Sequence, residues 1–518
     1  MKRSLYIQDT KCEIGPMVAN AYKNLGIPVR FINPTGAYQD LCPHTEFNCF
    51  EAAIDSYWSE DSTQRKYMTS FVRSAADIFA PKPNTETSNN PFFGNNGRSA
   101  GITFLNDLII NNPDKATPSQ LNRIVLDADK AQSIINQWAK PLKPGQRNAI
   151  ARDTQRRAKS LKAIIDENYK YWGDFLSHVS HALDPFDESG HLANYGEHAI
   201  AKFSDLRETP SVLINMTPLS QINDYAIFIA LNSQAIFLAA KMKPAGLPIH
   251  LILDEFTVAK IPNFEKEQIS LRGLKVSAEV YVQDKGLAAE TYGKAAEQAI
   301  YNQSDIKQFA AIDNLTDAQQ VNNILGTRIE RVLEGKVEGA NENEFKYLTK
   351  DIEVPIASPQ SLMAMARSSQ IIKIRGMYPI KAKLLPFWRV KGLREWFDKN
   401  PLETGNVPDA QTVAEVKIAE NGMRVVWPQV PAKLLADKKP PDKVPVLRLH
   451  SFMWAYVWAL LFFVPSLTEN WVLPALRYEY TFTQHGSSSR QYTACDYVAL
   501  NGHTFSHYGG DCPLITWD

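Results

Sequence analysis

The sequence contains no stretch of the form G-x-x-x-x-G-K-[ST], the loop whose glycine-rich backbone and lysine cradle nucleotide phosphates. The nearest imitation is Gly94-Asn-Asn-Gly97-Arg98-Ser99, with the wrong spacing and arginine for lysine. It falls inside NNPFFGNNGRSAG (89–101), which reads as a loop. A serine-hydrolase elbow, G-x-S-x-G, is also missing. Cysteine is scarce: Cys12, Cys42 and Cys49 lie near the start, Cys495 and Cys512 near the end. With His44, the first three have irregular spacing that suits free thiols better than a zinc site. His181, His191 and His198 among Asp184, Asp187, Glu188 and Glu197 read as a polar loop rather than a metal site. Net charge is absent, with 56 Lys+Arg against 56 Asp+Glu. That excludes a surface that is basic throughout and leaves room for local basic faces. The opening MKRSLYIQDTKCE lacks the apolar core of a signal peptide, so the body is expected in the cytosol.

What is present is enough apolar material for two or three domains: 44% hydrophobic residues over 518. Residues 1–50 read as a βαβ unit: SLYIQ as a strand, Ile14 to Leu25 as a helix stopped by Gly26, and PVRFIN as a second strand. From 51 to 200 the pattern is helical and polar, and it includes a basic run, KPLKPGQRNAIARDTQRRAKSLK (140–162). That run is either a solvated helix face or a surface for an acidic partner or nucleic acid. Residues 201–395 return to α/β alternation. SVLINM (211–216), PIHLILDEF (248–256), KVSAEVYVQ (275–283) and IKQFAAI (306–312) read as strands, and Leu219 to Lys241 as a long apolar helix. Thr316-Asp-Ala-Gln319 fits a capping box for a helix ending at Gly326. IIKIR and PIKAKLL form an expected hairpin across Gly376, and 396–448 reads as a linker.

FMWAYVWALLFFVPSL carries no charge and places an expected transmembrane helix at 449–468. The lysine-rich stretch before it puts residues up to about 448 in the cytoplasm and the tail, 469–518, outside. A Cys495–Cys512 disulfide is reasonable if that tail meets an oxidising compartment.

PIHLILDEF ends its apolar run on Asp254 and Glu255. Acids at the carboxyl end of a parallel strand stand where ligands bind. There a strand-end acid can hold Mg²⁺ through water and a following glutamate can polarise the attacking water. Two acids leaving a strand for solvent are also common. The residues downstream sharpen the reading by their order: Arg272-Gly273, then a strand ending on Gln283, then Tyr292-Gly293.

This ordered set resembles the type IV coupling proteins of bacterial conjugation, the TraG/TraD-like branch of the hexameric DNA-pumping ATPases. FSDLRETPSVLINM (203–216), Asp9-Thr-Lys11-Cys-Glu13 with Asn33-Pro34, and IIKIRGMYPIKAKLLPFW (371–388) extend the likeness over roughly residues 4 to 390. The resemblance implies a RecA-like α/β fold: a mostly parallel sheet with helices on both faces and an all-α insertion. It implies ATP and Mg as cofactors, with Asp254 positioning the metal, Glu255 activating water, Gln283 sensing the γ-phosphate and Arg272 acting across a subunit interface. Asp9 and Lys11 fall in the family's D-x-K-G-E strand end, where Cys12 replaces the glycine. Implied partners are secretion-channel proteins, a relaxase/DNA substrate, further copies in a hexamer, and the inner membrane.

The family's phosphate loop would precede Met1. SLYIQ is therefore expected to face an empty neighbour position in the sheet. A separate polypeptide could supply the loop, the fold could close without it, or the start could be misassigned. A non-catalytic membrane-anchored scaffold derived from such an ATPase is the competing reading.

Overall fold

A computed structural model of the chain describes residues 2–82, 91–144, 148–338 and 345–402, together with the backbone of short strands between 414 and 517. Strand β1 (Ser4–Asp9), helix α1 (Ile14–Asn24) and strand β2 (Val29–Ile32) form the expected βαβ start. Helices α2 (Glu51–Trp58), α3 (Ser62–Phe79), α4 (Pro91–Asn111), α5 (Pro118–Leu126), α6 (Ala128–Ala139), α7 (Ala149–Glu167) and α8 (Lys170–Leu183) come next. The chain then returns through β3 (Val212–Met216), α9 (Ile222–Met242), β4 (Ile249–Leu253), α10 (Phe264–Arg272) and β5 (Val276–Val280).

These five strands make one parallel sheet in the order β2-β3-β1-β4-β5. The expectation of an empty position beside SLYIQ is corrected. β1 sits in the middle, with Leu5 opposite Val212 on one side and His250 on the other. The sheet ends at β2 and β5, and β5 is the more open edge: its last three residues are half-exposed, while every residue of β1, β3 and β4 is buried. Parallel sheets are normally covered on both faces and at their edges.

The two faces have different coverings. Leu5, Ile7, Val212, Ile214 and Ile252 pack with Val18, Ala19 and Tyr22 of α1. Tyr6, Leu213, Leu251 and Leu253 point the other way, into a core that runs through α9 into the α2–α8 bundle. Helices on both faces therefore hold. Within this second core, Tyr6 and Gln8 of β1 interlock with β3 and its end: Asn215 Nδ2 donates to the Tyr6 hydroxyl at 2.9 Å, and Gln8 Nε2 to Thr217 Oγ1 at 2.6 Å.

The stretch 89–101, expected as a loop, is the first half of α4 from Pro91 onward. Its glycines serve packing. A Cβ on Gly97 would lie 2.9 Å from the Phe175 carbonyl oxygen of α8, and one on Gly101 2.7 Å from the Phe79 ring. Arg98 is buried and donates to the carbonyls of Ala80 (3.1 Å) and Arg73 (2.9 Å), tying off the end of α3.

Beyond β5 come α11 (Lys285–Tyr292), α12 (Lys294–Gln303), β6 (Ile306–Ala310) and α13 (Leu315–Leu325). α13 ends at Gly326, with φ +76°, as expected, but its cap is Asn314, whose side chain accepts from Asp317 N at 2.8 Å. The Thr316 capping box is thus corrected, because the helix begins before Thr316 and takes that residue into its first turn. A ribbon, β7 (Thr327–Glu338) and β8 (Phe345–Pro355), precedes α14 (Pro359–Met363). The expected hairpin across Gly376 is β9 (Ser369–Ile374) with β10 (Ile380–Lys383), and β6 joins it to give the order β10-β9-β6. β11 (Val390–Lys391), β12 (Ala414–Ala419) and β13 (Gly422–Val426) form a small sheet that reaches into the stretch read as a linker. β14 (Pro474–His485), β15 (Ser489–Ala499), β16 (Thr504–Gly510) and β17 (Ile515–Trp517) form an antiparallel one in the tail.

The expected membrane helix at 449–468 and Cys512 lie outside the described residues. Among the described residues one helical stretch, Leu219–Met242, is long and apolar enough to cross a membrane, and 83% of its most apolar window is buried inside the protein.

Candidate functional site

The carboxyl ends of β1, β4 and β5 bring three expected residues into contact. Glu255, two residues past the end of β4, is buried and has φ +51°. Its carboxylate is held from two sides. Gln283 Nε2 lies 2.7 and 2.6 Å from its two oxygens, and Lys11 Nζ lies 3.0 Å from Oε1. The sheet sets this geometry. Tyr281 N donates to the Leu253 carbonyl at 3.1 Å and Phe256 N to the Tyr281 carbonyl at 3.0 Å, which fixes the segment leading to Gln283 against the acids.

Asp9 closes β1 and caps α1, accepting from Gly15 N at 2.8 Å and Glu13 N at 3.2 Å. Burial pushes its carboxyl up to about 6. The two backbone donors pull down, and Asp254 and Glu13 push further up. Asp254 is raised as well, by burial first and then by Glu255, with Lys11 opposing. The Lys11 ammonium is held above its usual range mainly by its hydrogen bond to Glu255. Cys12, which stands at the glycine position of the resembled motif, keeps a glycine-like φ of +54°.

Tyr292 supports this edge from behind. Its ring stacks on Phe256 at 4.6 Å, and its hydroxyl donates to the Phe256 carbonyl at 3.1 Å and accepts from Ile261 N at 3.3 Å. Gly293 comes next with φ +87°. Asn33 orders the loop after β2, donating to the carbonyls of Ala37 (2.7 Å) and Cys42 (2.9 Å).

Arg272 does not join this group. It ends α10, just before β5 begins, so it stands at the amino-terminal end of the strand whose other end carries Gln283. There it pairs with Asp305 at 3.3 Å, and Arg375 reaches the same carboxylate at 3.1 Å. Sequence reasoning missed this second charged cluster. Its only signal, the pairing of β6 with β9, is not visible in a linear pattern.

The other candidates resolve into structure. Cys12, Cys42 and Cys49 are buried thiols, and burial pushes the first two up to about 12. His191 pairs with Asp224 at 3.3 Å, and His181 stands 4.0 Å from Asp184. Part of the basic run is neutralised along α7, where Arg157 pairs with Asp153 and Lys162 with Asp166. Among the described residues no group of three His, Cys, Asp or Glu could hold a metal ion by itself.

A doubly wound parallel sheet with acids, a lysine and a glutamine gathered at its carboxyl edge is the class of fold that binds ligands at that edge. Within it, residues 248–367 match the family model described as the TraM recognition site of TraD and TraG, the family that the ordered motifs resemble. Solved structures that overlap it include three of one protein. The bacterial conjugative coupling protein TrwB, unbound, is 9% identical over 74% of this chain and 84% of that one, with a TM-score of 0.43. Plasmid coupling protein TrwB with the ATP analogue ADPNP is 10% identical over 74% and 85%, TM-score 0.42. The same protein with ADP and Mg²⁺ is 11% identical over 74% and 85%, TM-score 0.41. No curated protein matches.

Proposed function

We propose that this chain is a type IV coupling-protein-like component of a conjugative DNA-transfer or type IV secretion system, and that its α/β part handles Mg-ATP. The observation that carries the reading is the clamp of Gln283 and Lys11 on Glu255, beside Asp254; Asp254, Glu255 and Gln283 lie inside the segment that matches the TraD and TraG family model. Glu255, Asp254 and Glu13 gather around the Lys11 ammonium, Asp9 stands beside Asp254 and Glu13, and burial and mutual repulsion raise both aspartates. Such hard, crowded oxygens suit Mg²⁺, which one or two carboxylates and substrate phosphates hold together.

In this reading Asp254 would hold the ion through water, and the bound metal would offset charge on the phosphates. Glu255 orients and deprotonates the attacking water, and Gln283, which touches it, reports on the γ-phosphate. Lys11 holds Glu255 in place. Arg272 is left out of this chemistry, because it stands at the opposite end of β5 and is engaged by Asp305.

The phosphate-binding loop is not in this sequence. The open flank of β5 leaves room for a further strand, laid parallel to β5 so that a loop at its carboxyl end emerges beside Gln283. Relaxase/DNA substrate, secretion-channel proteins, further copies in a hexamer and the inner membrane complete the expected partners. The test is Mg-ATP turnover, with a phosphate-loop partner added if needed. Turnover that survives Glu255→Gln unchanged would sink the assignment. The second reading, a membrane-anchored scaffold without turnover, predicts none with or without such a partner.

A further inference from the structure

The segment 397–402 opens the stretch that the sequence suggested as a linker, yet it is docked on α1. Phe397 packs against the core on the α1 face of the sheet, and its ring meets that of Phe387 edge-on at 5.0 Å. Asp398 N donates to the Met17 carbonyl at 3.0 Å, and Asn20 Nδ2 donates to Asp398 Oδ2 at 2.8 Å. A further tie is of another kind: Asn400 Nδ2 donates to Glu13 Oε2 at 2.7 Å.

That tie fixes a charge of the acidic end. Burial raises the carboxyls of Asp9 and Asp254, and the Glu13 charge raises both further. The hydrogen bond to Glu255 holds the Lys11 ammonium above its usual range, and Glu13 adds to that hold. Lys11 nevertheless pairs with Glu255, at 3.0 Å, while the Glu13 carboxylate is engaged by Asn400. Lys11 and Glu13 flank Cys12, whose φ is +54°, so a Glu13 released from Asn400 has a cation within reach. Two carboxylates would then compete for one ammonium. Whenever Lys11 turned to Glu13, Glu255 would be left with Gln283 alone.

An asparagine suits this position. Its Oδ1 accepts from Leu402 N at 2.9 Å, a side-chain turn across Pro401 that orients the amide. The fixed φ of Pro401 narrows the shapes this turn can take. A hydrogen bond to an ionised acceptor is stronger than a neutral one. A neutral donor therefore holds the carboxylate firmly without cancelling its charge, which a lysine would do.

We propose that Asn400 is a positioning residue of the acidic site: by holding Glu13 it reserves Lys11 for Glu255. The start of the expected linker is then part of the scaffold of that site. The inference rests on the Mg-ATP reading only in naming Glu255 as the base. The competition for Lys11 holds without it.

The test is a double-mutant cycle of Lys11→Met and Glu255→Gln in urea melts of the full chain, in three backgrounds. In the wild-type background the pair should couple by about fivefold in the unfolding equilibrium constant. In Asn400→Ala the factor should drop below about twofold. In Asn400→Ala/Glu13→Gln it should return, because a neutral side chain does not compete for the ammonium. A residue that merely braced the segment would not be rescued this way, since its own tie is still missing. Three results overturn the proposal: no coupling in the wild type, coupling that survives Asn400→Ala, and coupling that Glu13→Gln fails to restore. Where a member melts without a single transition, the NMR signal of dimethylated Lys11 reads the same cycle. Glu255→Gln should shift that signal in the first and third backgrounds and leave it in place in Asn400→Ala. Mg-ATP turnover that survives Glu255→Gln sinks the nucleotide reading and leaves this cycle untouched, so the two failures are separable.

Discussion

The two ends of β5 are electrostatic inverses. At its carboxyl end Glu255, Asp254 and Glu13 surround Lys11, with Asp9 beside Asp254 and Glu13. At its amino end Arg272 and Arg375 pair with Asp305, with Lys307 near that carboxylate and Lys373 beside Lys307. The difference lies in burial. Glu255 and Asp9 are 7% and 0% exposed, whereas the basic cluster is half open to water. Charges at the acidic end are held in fixed geometry by strand ends and a helix start, as chemistry requires. Charges at the basic end remain hydrated.

The largest break in this comparison is expected from Glu255→Gln, which keeps one of the two contacts from Gln283 but removes the base. Mg-ATP turnover should fall by about 100-fold or more, measured by phosphate release.

Next comes pH. The folded-state pKa of Asp9 is raised from 3.8 to about 6, so the folded protein holds this proton more tightly than the unfolded chain. The corresponding stability is fully present below about pH 4 and is lost as pH rises through about 6. Its upper size is about 3 kcal/mol. Asp9→Asn keeps an acceptor for the Gly15 N–H and should flatten that part of the stability curve in urea melts. A slope between pH 4 and 6 that survives Asp9→Asn would assign it to another group.

Tyr292→Phe keeps the stack on Phe256 and removes the hydroxyl between Phe256 O and Ile261 N. It should destabilise the chain by about 1–2 kcal/mol in denaturant melts and loosen the acidic end only. The smallest effect belongs to Arg272→Gln, whose exposed pair with Asp305 should contribute less than about 0.5 kcal/mol. A larger loss of stability there would mean that the basic cluster is a structural brace and would weaken the contrast between the two ends.

Much of the architecture was legible because it is local. Apolar runs bounded by glycine and proline marked β1, β2, β3, β4 and the β9–β10 hairpin, and Gly326 marked the end of α13. Glu255, Gln283 and Lys11 could be named because strand ends in a parallel sheet share an edge. What was not legible is pairing. Nothing in SLYIQ says that β3 and β4 will flank it, so the open flank was expected at β1 and is found at β5. Lys307 and Lys373 become neighbours only through the antiparallel register of β6 and β9. Glycine misled once: in 89–101 it signals close helix approach at Gly97 and Gly101, not a loop. Arg272 was grouped with Glu255 by proximity in sequence, but a helix antiparallel to its strands carried it to the far end.

The central place of β1 has a consequence for how the chain is made. Ser4 Oγ accepts from Ser211 N, a partner 207 residues later, and β4 is later still. At roughly 5–20 residues per second of synthesis, the first strand waits on the order of 10–40 s before either neighbour exists. During that interval an apolar segment and, soon after, a bundle of helices without the α9 they pack on must stay soluble. Nascent chains of this protein should therefore be chaperone clients until β4 has emerged, and loss of trigger-type holding activity should lower yield more than any single surface substitution.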